Sequence, residues 1–276
     1  MLLKLLKIIV LVVLVLMPFL SAALWLGKFS PYFDGNSLGI YITLSIVNSL
    51  VYLLLLLPIV NKYLPKQLLF TGILLFCIGI VMASVAGLVS PPDFSVAMLK
   101  HPEREHLRYV LLFLGAMLFI GAFIFVRQHE FGKWNILLLV CFIPAIAELL
   151  LEFYHHYFFA ENLKAWIDSG NNADKFMDHY SGFAVIKLGT VGRFFQYSCI
   201  ALLAYLLKKY TYIRKWSLAI LFLLCGIGIF VAVFIFFYGF NFTGPYQAFM
   251  FFFIPAGPFL LLYWLGIALL TKPSVK

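Results

Sequence analysis

The chain has 276 residues, 64% of them hydrophobic and only 11% charged, with a mean hydropathy of +1.03 and a formal net charge of +9. A water-soluble domain of this size carries about a quarter charged residues, which excludes that class. The apolar runs are about 20 residues long rather than ten-residue alternating strands, so the expected fold is an all-α integral membrane protein.

Uninterrupted apolar runs predict one membrane domain of eight helices, over about 8–27, 38–60, 68–90, 109–126, 136–158, 182–207, 217–238 and 247–270. The first belongs to "MLLKLLKIIVLVVLVLMPFLSAALW", which has the basic start of a signal peptide and a Ser21-Ala22-Ala23 cleavage pattern. Its apolar run is longer than a signal core, so an uncleaved anchor is expected. The second span carries Asn48. The third carries Gly79, Ala83 and Gly87 four apart, a small-residue face suited to close helix packing. The segment 91–108 ends in "HPEREHLRY", where Pro102 suits a first helical turn and predicts that the fourth helix starts there.

The fifth span ends in "AELLLEFYHHYFF", residues 147–159, with two glutamates and two histidines in an otherwise apolar stretch. After it, "AENLKAWIDSG" reads as a short amphipathic helix stopped at Gly170 and lying on the membrane surface. The sixth span holds Lys187, Thr190, Arg193 and Tyr197, and the last holds Pro255 and Pro258, which should kink it. Cys77, Cys141, Cys199 and Cys225 lie one per span without a pairing pattern and are expected to act as small apolar residues. The sequon at Asn241 is within a few residues of two spans and is read as a chance match. No internal repeat is evident.

Charge sets the orientation. With the N-terminus inside, the inner segments hold Lys4, Lys7, Lys62, Lys66, Arg127, Lys133, Lys208, Lys209, Arg214, Lys215, Lys272 and Lys276 against one acid, Glu130. The outer loops hold six basic residues against eight acids. This obeys the positive-inside rule throughout and predicts an N-in, C-in protein, with a bacterial cytoplasmic (inner) membrane as the expected setting. The positive charge is therefore topological, and no nucleic-acid partner is expected. Five of six histidines (His101, His106, His155, His156 and His179) fall on the outer side.

At roughly 100° per residue, Glu148, Glu152, His155 and His156 share about a third of the fifth helix's circumference. So narrow a stripe should face the bundle interior or a water-filled cavity. Glu148 and Arg193 each lie about 15–16 Å below the outer ends of neighbouring antiparallel helices, so a Glu148–Arg193 pair is expected. Tyr197 belongs to the same face, Asn48 lies at similar depth, and Lys187 is near enough to the surface to snorkel.

Glu152-Phe-Tyr-His155 and Glu103-Arg-Glu-His106 are both Glu-x-x-His, the spacing that builds di-iron sites in helical bundles. A divalent metal at the outer face, held by Glu103, His106, Glu152 and His155, is therefore one expectation. Glu148 and Glu152 also resemble the intramembrane Glu-x-x-x-Glu of undecaprenyl-pyrophosphate phosphatases, whose Pro-Gly-x-Ser-Arg-Ser signature is absent. The late His-x-x-x-His of ceramidase-like hydrolases is absent too, and no role is carried over from either family.

Three function classes fit these residues. The first is an enzyme acting on a lipid or lipid-linked substrate. In it Arg193, with Lys187, Tyr197 and Asn48, would hold an anionic head group, and Glu148, Glu152, His155 and His156 would supply acid/base or ligand chemistry. The second is a proton- or ion-coupled transporter using the same column as a relay. The third is an assembly subunit, with the Glu–Arg pair serving only to fix helix register. Membrane lipids are the expected partners in all three.

Overall fold

The computed structural model describes residues 2–33, 35–89, 96, 99, 102–129, 134–176, 183–239 and 244–272. Lys100, His101, Glu130, Lys133, His179, Asn241 and Lys276 lie outside the described residues. Among the described residues there is no strand, and the helices are α1 (Leu2–Leu24), α2 (Leu38–Leu56), α3 (Lys66–Gly87), α4 (Pro102–Arg127), α5 (Trp134–Tyr157), α6 (Phe159–Asp168), α7 (Phe183–Lys209), α8 (Lys215–Tyr238) and α9 (Ala256–Leu270). Seven are long and apolar enough to cross a membrane, so the protein is an all-helical bundle of the integral membrane kind.

The last predicted span is not one helix. Residues Gly244–Phe252 form a 3-10 segment, and α9 begins only at Ala256. Pro255 and Pro258 lack the N–H groups that a continuous helix would need there. At 1.5 Å per residue α9 covers about 22 Å, less than the roughly 30 Å apolar core of a bilayer.

Burial follows the small residues. α9 is buried along nearly its whole length and packs on α3, α7 and α8. Contact this close needs glycines. A Cβ at Gly79 would occupy the ring of Tyr263, and one at Gly266 would meet the backbone of Phe76. The small-residue face expected on α3 thus meets α9. Around this centre stand α1, α2, α4, α5 and α8, whose outward faces are apolar and exposed, as in Ile46, Leu54, Ile136, Leu223 and Phe230. In water such faces would be an aggregation hazard; in lipid they are the solvent-facing side.

The two ends of the bundle differ in chemistry. At one, Lys7, Lys62, Arg214 and Lys272 line a single cavity. At the other, α6 is tied to α4 by a His106 Nε2–Glu161 Oε1 contact of 2.8 Å. The amphipathic helix expected before Gly170 is present. It ends with Gly170 at φ 80° and with Asn171 N–H donating to the Trp166 carbonyl at 3.3 Å. That is the left-handed glycine cap that closes many helices.

Candidate functional site

The site is built on α5 and α7, which pack against each other. Gly192 opens the slot between them, because a Cβ there would coincide with the Glu148 side chain. Through this slot Glu148 reaches Arg193, whose Nη1 donates to Glu148 Oε2 at 2.8 Å. The pair expected from depth alone is formed.

More residues join it than depth suggested. Arg193 Nη2 donates to Glu152 Oε2 at 2.6 Å, so Glu152 is a direct partner of the arginine and not an independent outer group. Gln196, which sequence reasoning missed, accepts from Arg193 Nη1 at 2.9 Å and donates through Nε2 to Glu148 Oε2 at 2.6 Å. It also donates to the Ala145 carbonyl at 3.2 Å. Gln196 lies three residues beyond Arg193 on the same helical face, and that spacing was the only signal that could have found it.

The remaining wall comes from the irregular segment before α9. Arg193 Nε donates to the Phe253 carbonyl, and Tyr197 Oη donates to the Phe252 carbonyl at 2.7 Å. These carbonyls are free to accept because the chain around Pro255 is not α-helical there. Arg193 is 1% exposed, yet it donates to two carboxylates, one amide oxygen and one backbone carbonyl. Satisfying the guanidinium so fully is what makes its burial tolerable. The two carboxylates differ in access, since the Glu148 side chain is 6% exposed and that of Glu152 is 22%.

Other predicted members lie elsewhere. Asn48 is buried but accepts from Ser21 Oγ at 2.9 Å, joining α2 to α1 rather than to α5. Lys187 places its ammonium 4.2 Å from the centroid of the Phe236 ring on α8. Tyr197 borders the cluster, but its hydroxyl is committed to Phe252.

The metal expectation is not supported. Among the described residues no three His, Cys, Asp or Glu side chains converge on a metal position. An aromatic seam between α4 and α5 takes His106 and His156 instead. His106 stacks on Tyr157 at 4.6 Å, His156 on Tyr109 at 5.3 Å, and Phe113 packs on Phe153 at 4.7 Å. Antiparallel helices bring these pairs together in order, whereas a ligand set would need Glu103 and Glu152 to converge. Glu103 is exposed and 3.7 Å from Arg104. His155 stands one turn beyond Glu152, its ring 5.5 Å from that of His156.

A second buried carboxylate is Glu105, within the Glu103-Arg-Glu-His106 motif. Glu105 is 2% exposed and accepts from the Tyr32 hydroxyl, with Arg108 Nη1 3.7 Å away. Burial first, and then the bond to Glu105, push the Tyr32 phenol up, so it remains a donor.

No protein-family model, curated protein or solved structure matches this chain. The geometry of the site alone supports a reading.

Proposed function

We propose that the protein is a proton-coupled membrane transporter and that Glu148, Glu152 and Arg193 form its proton-binding centre. The observation that carries this reading is that two carboxylates bond to one guanidinium in the bundle interior. With both ionised, the cluster holds a surplus negative charge in surroundings where an unpaired charge costs several kcal/mol. One added proton removes the surplus, so the cluster has two charge states separated by a single proton.

The exposure difference supports entry of that proton by way of Glu152, with His155 and His156 on the same helix next along the path. The facing groups from other elements are Arg193, Gln196 and Tyr197 on α7 and Tyr109 on α4. The irregular 244–255 segment supports the same reading. Non-helical backbone at membrane depth is tolerated where it is buried in protein or lines a pathway, and transporters place broken helices at their sites. Arg193 is a poor grip for a substrate anion because protein groups already take four of its five N–H donors.

The orientation we infer is eight spans with both termini on the cytoplasmic side, the short α9 and its preceding segment together making the eighth. The charge asymmetry supports it. Infrared difference spectra of the purified protein between acid and alkaline pH test the centre. Wild type and Glu148→Gln share the bands of the other acidic side chains. The wild type should show an additional carbonyl stretch that is missing from Glu148→Gln, the variant that leaves one carboxylate to the guanidinium. Identical spectra from both proteins would refute proton binding at this site.

One observation favours an enzyme acting on a lipid-linked substrate as a second reading: the partly exposed Glu152 carboxylate with His155 one turn away. There Glu152 would be the acid/base group, and hydrolysis of a labelled lipid phosphate by wild type but not by Glu152→Gln would favour it over transport.

A further inference from the structure

At the opposite end from the candidate site, four cations converge from four separate parts of the chain. Lys7 comes from α1, Lys62 from the α2–α3 connection, Arg214 from the α7–α8 connection and Lys272 from just past α9, and all line one cavity of 430 Å³. No acid lines it among the described residues. The positive-inside rule explains basic residues at this end, but not their collection into one cavity.

The cavity is held open by backbone. Asn61 N–H donates to the Leu270 carbonyl at 2.6 Å, pinning the α2–α3 connection to the end of α9. The Asn61 side chain accepts from the Tyr63 N–H at 3.0 Å. Above the cavity runs an apolar groove between α1, α8 and α9, lined by Val15, Trp216, Ile220, Trp264 and Ala268. Leu11, Arg214 and Thr271 line both spaces, so the two adjoin.

We propose that this is a binding site for an anionic phospholipid, with its phosphate among Lys7, Lys62, Arg214 and Lys272 and one acyl chain in the groove. A basic pocket at helix ends attracts anionic head groups, and the groove supplies the apolar contact that a soluble anion cannot use. Burial, and then the neighbouring Lys208 and Arg214, hold the Lys272 ammonium below its usual range. A phosphate would relieve that crowding. The site is independent of the proton centre and of the direction in which the protein lies.

The test uses the full chain purified in neutral detergent, with phosphatidylglycerol, phosphatidylcholine and inorganic phosphate as probes. Phosphatidylglycerol should bind with a measurable dissociation constant and raise the melting temperature, and phosphatidylcholine should do neither. The Lys62→Gln/Lys272→Gln variant should bind phosphatidylglycerol roughly 25-fold more weakly, about fivefold for each charge removed near the head group. The Lys62→Arg/Lys272→Arg variant keeps the charge and should keep the binding, which separates lost charge from lost folding. Ala268→Phe should fill the groove and weaken the lipid alone. Equal shifts with phosphatidylcholine, or a glutamine variant that binds normally, would overturn the proposal. If inorganic phosphate matches the lipid, and Ala268→Phe changes nothing, the site takes a free anion and the lipid assignment fails.

Discussion

Replacing Arg193 by leucine would leave Glu148 and Glu152 facing each other inside the bundle without a counter-charge. Removing one partner of a buried pair costs about 3–5 kcal/mol, so Arg193→Leu should lower the melting temperature in detergent sharply. Because both carboxylates bond to the arginine, Glu148→Gln should restore only part of that loss in the leucine background. Adding Glu152→Gln should restore most of the rest, since Gln196 can still bond to a glutamine at 148. Full recovery with Glu148→Gln alone would mean that Glu152 is not held by the arginine. The same bookkeeping makes Glu148→Gln in the wild-type background close to neutral, for it leaves one carboxylate and one guanidinium.

Helix ends set a different kind of constraint. α7 stops at Lys209, and Thr211 follows with φ at 64°, the left-handed region. There the Tyr212 N–H donates back to the Leu207 carbonyl at 2.7 Å. A β-branched residue is strained in that conformation, and glycine is not. Thr211→Gly should therefore stabilise the protein by about 1 kcal/mol, read as a higher melting temperature. A lower one would mean that the Thr211 side chain contributes more than its backbone strain costs. α1 shows how a neighbour repairs a break in a helix. Pro18 cannot donate to the Leu14 carbonyl, and that carbonyl instead accepts from the Tyr263 hydroxyl of α9 at 2.6 Å. Trp264 Nε1 donates to the adjacent Val15 carbonyl at 3.1 Å.

Those two bonds join the first helix to the last and close the whole bundle. Tyr263→Phe keeps the ring that fills the Gly79 notch but orphans a carbonyl in apolar surroundings, so it should cost about 1–3 kcal/mol. Pro18→Leu in the same chain would return an N–H to Leu14 and should rescue most of that loss. Failure to rescue would show that the hydroxyl acts on something other than the proline gap. Topology is also a property of the whole molecule. A membrane-impermeant thiol reagent added outside should label a cysteine at Asn171 and spare one at His129, in a background without the four native cysteines. Equal labelling would refute the N-in orientation.

The sequence by itself determined that this chain spans a membrane, where most of its helices run and that Glu148 would find Arg193. Each of these follows from local facts: apolar run length, charge near helix ends, and matched depth on antiparallel neighbours. Gly170 and Pro102 were legible for the same reason, because caps depend on a few consecutive residues. Tertiary structure alone decided that Glu152 and Gln196 complete the arginine's shell and that Asn48 turns to Ser21. It also sent His106 and His156 to aromatic partners instead of a metal. These outcomes depend on how helices rotate against one another, and similar apolar stripes around most of a membrane helix leave that rotation undetermined until close packing at Gly192, Gly79 and Gly266 sets it. The break before α9 lies between the two cases. Pro255 and Pro258 forecast a kink, but only the fold shows that the freed carbonyls of Phe252 and Phe253 accept from Tyr197 and Arg193.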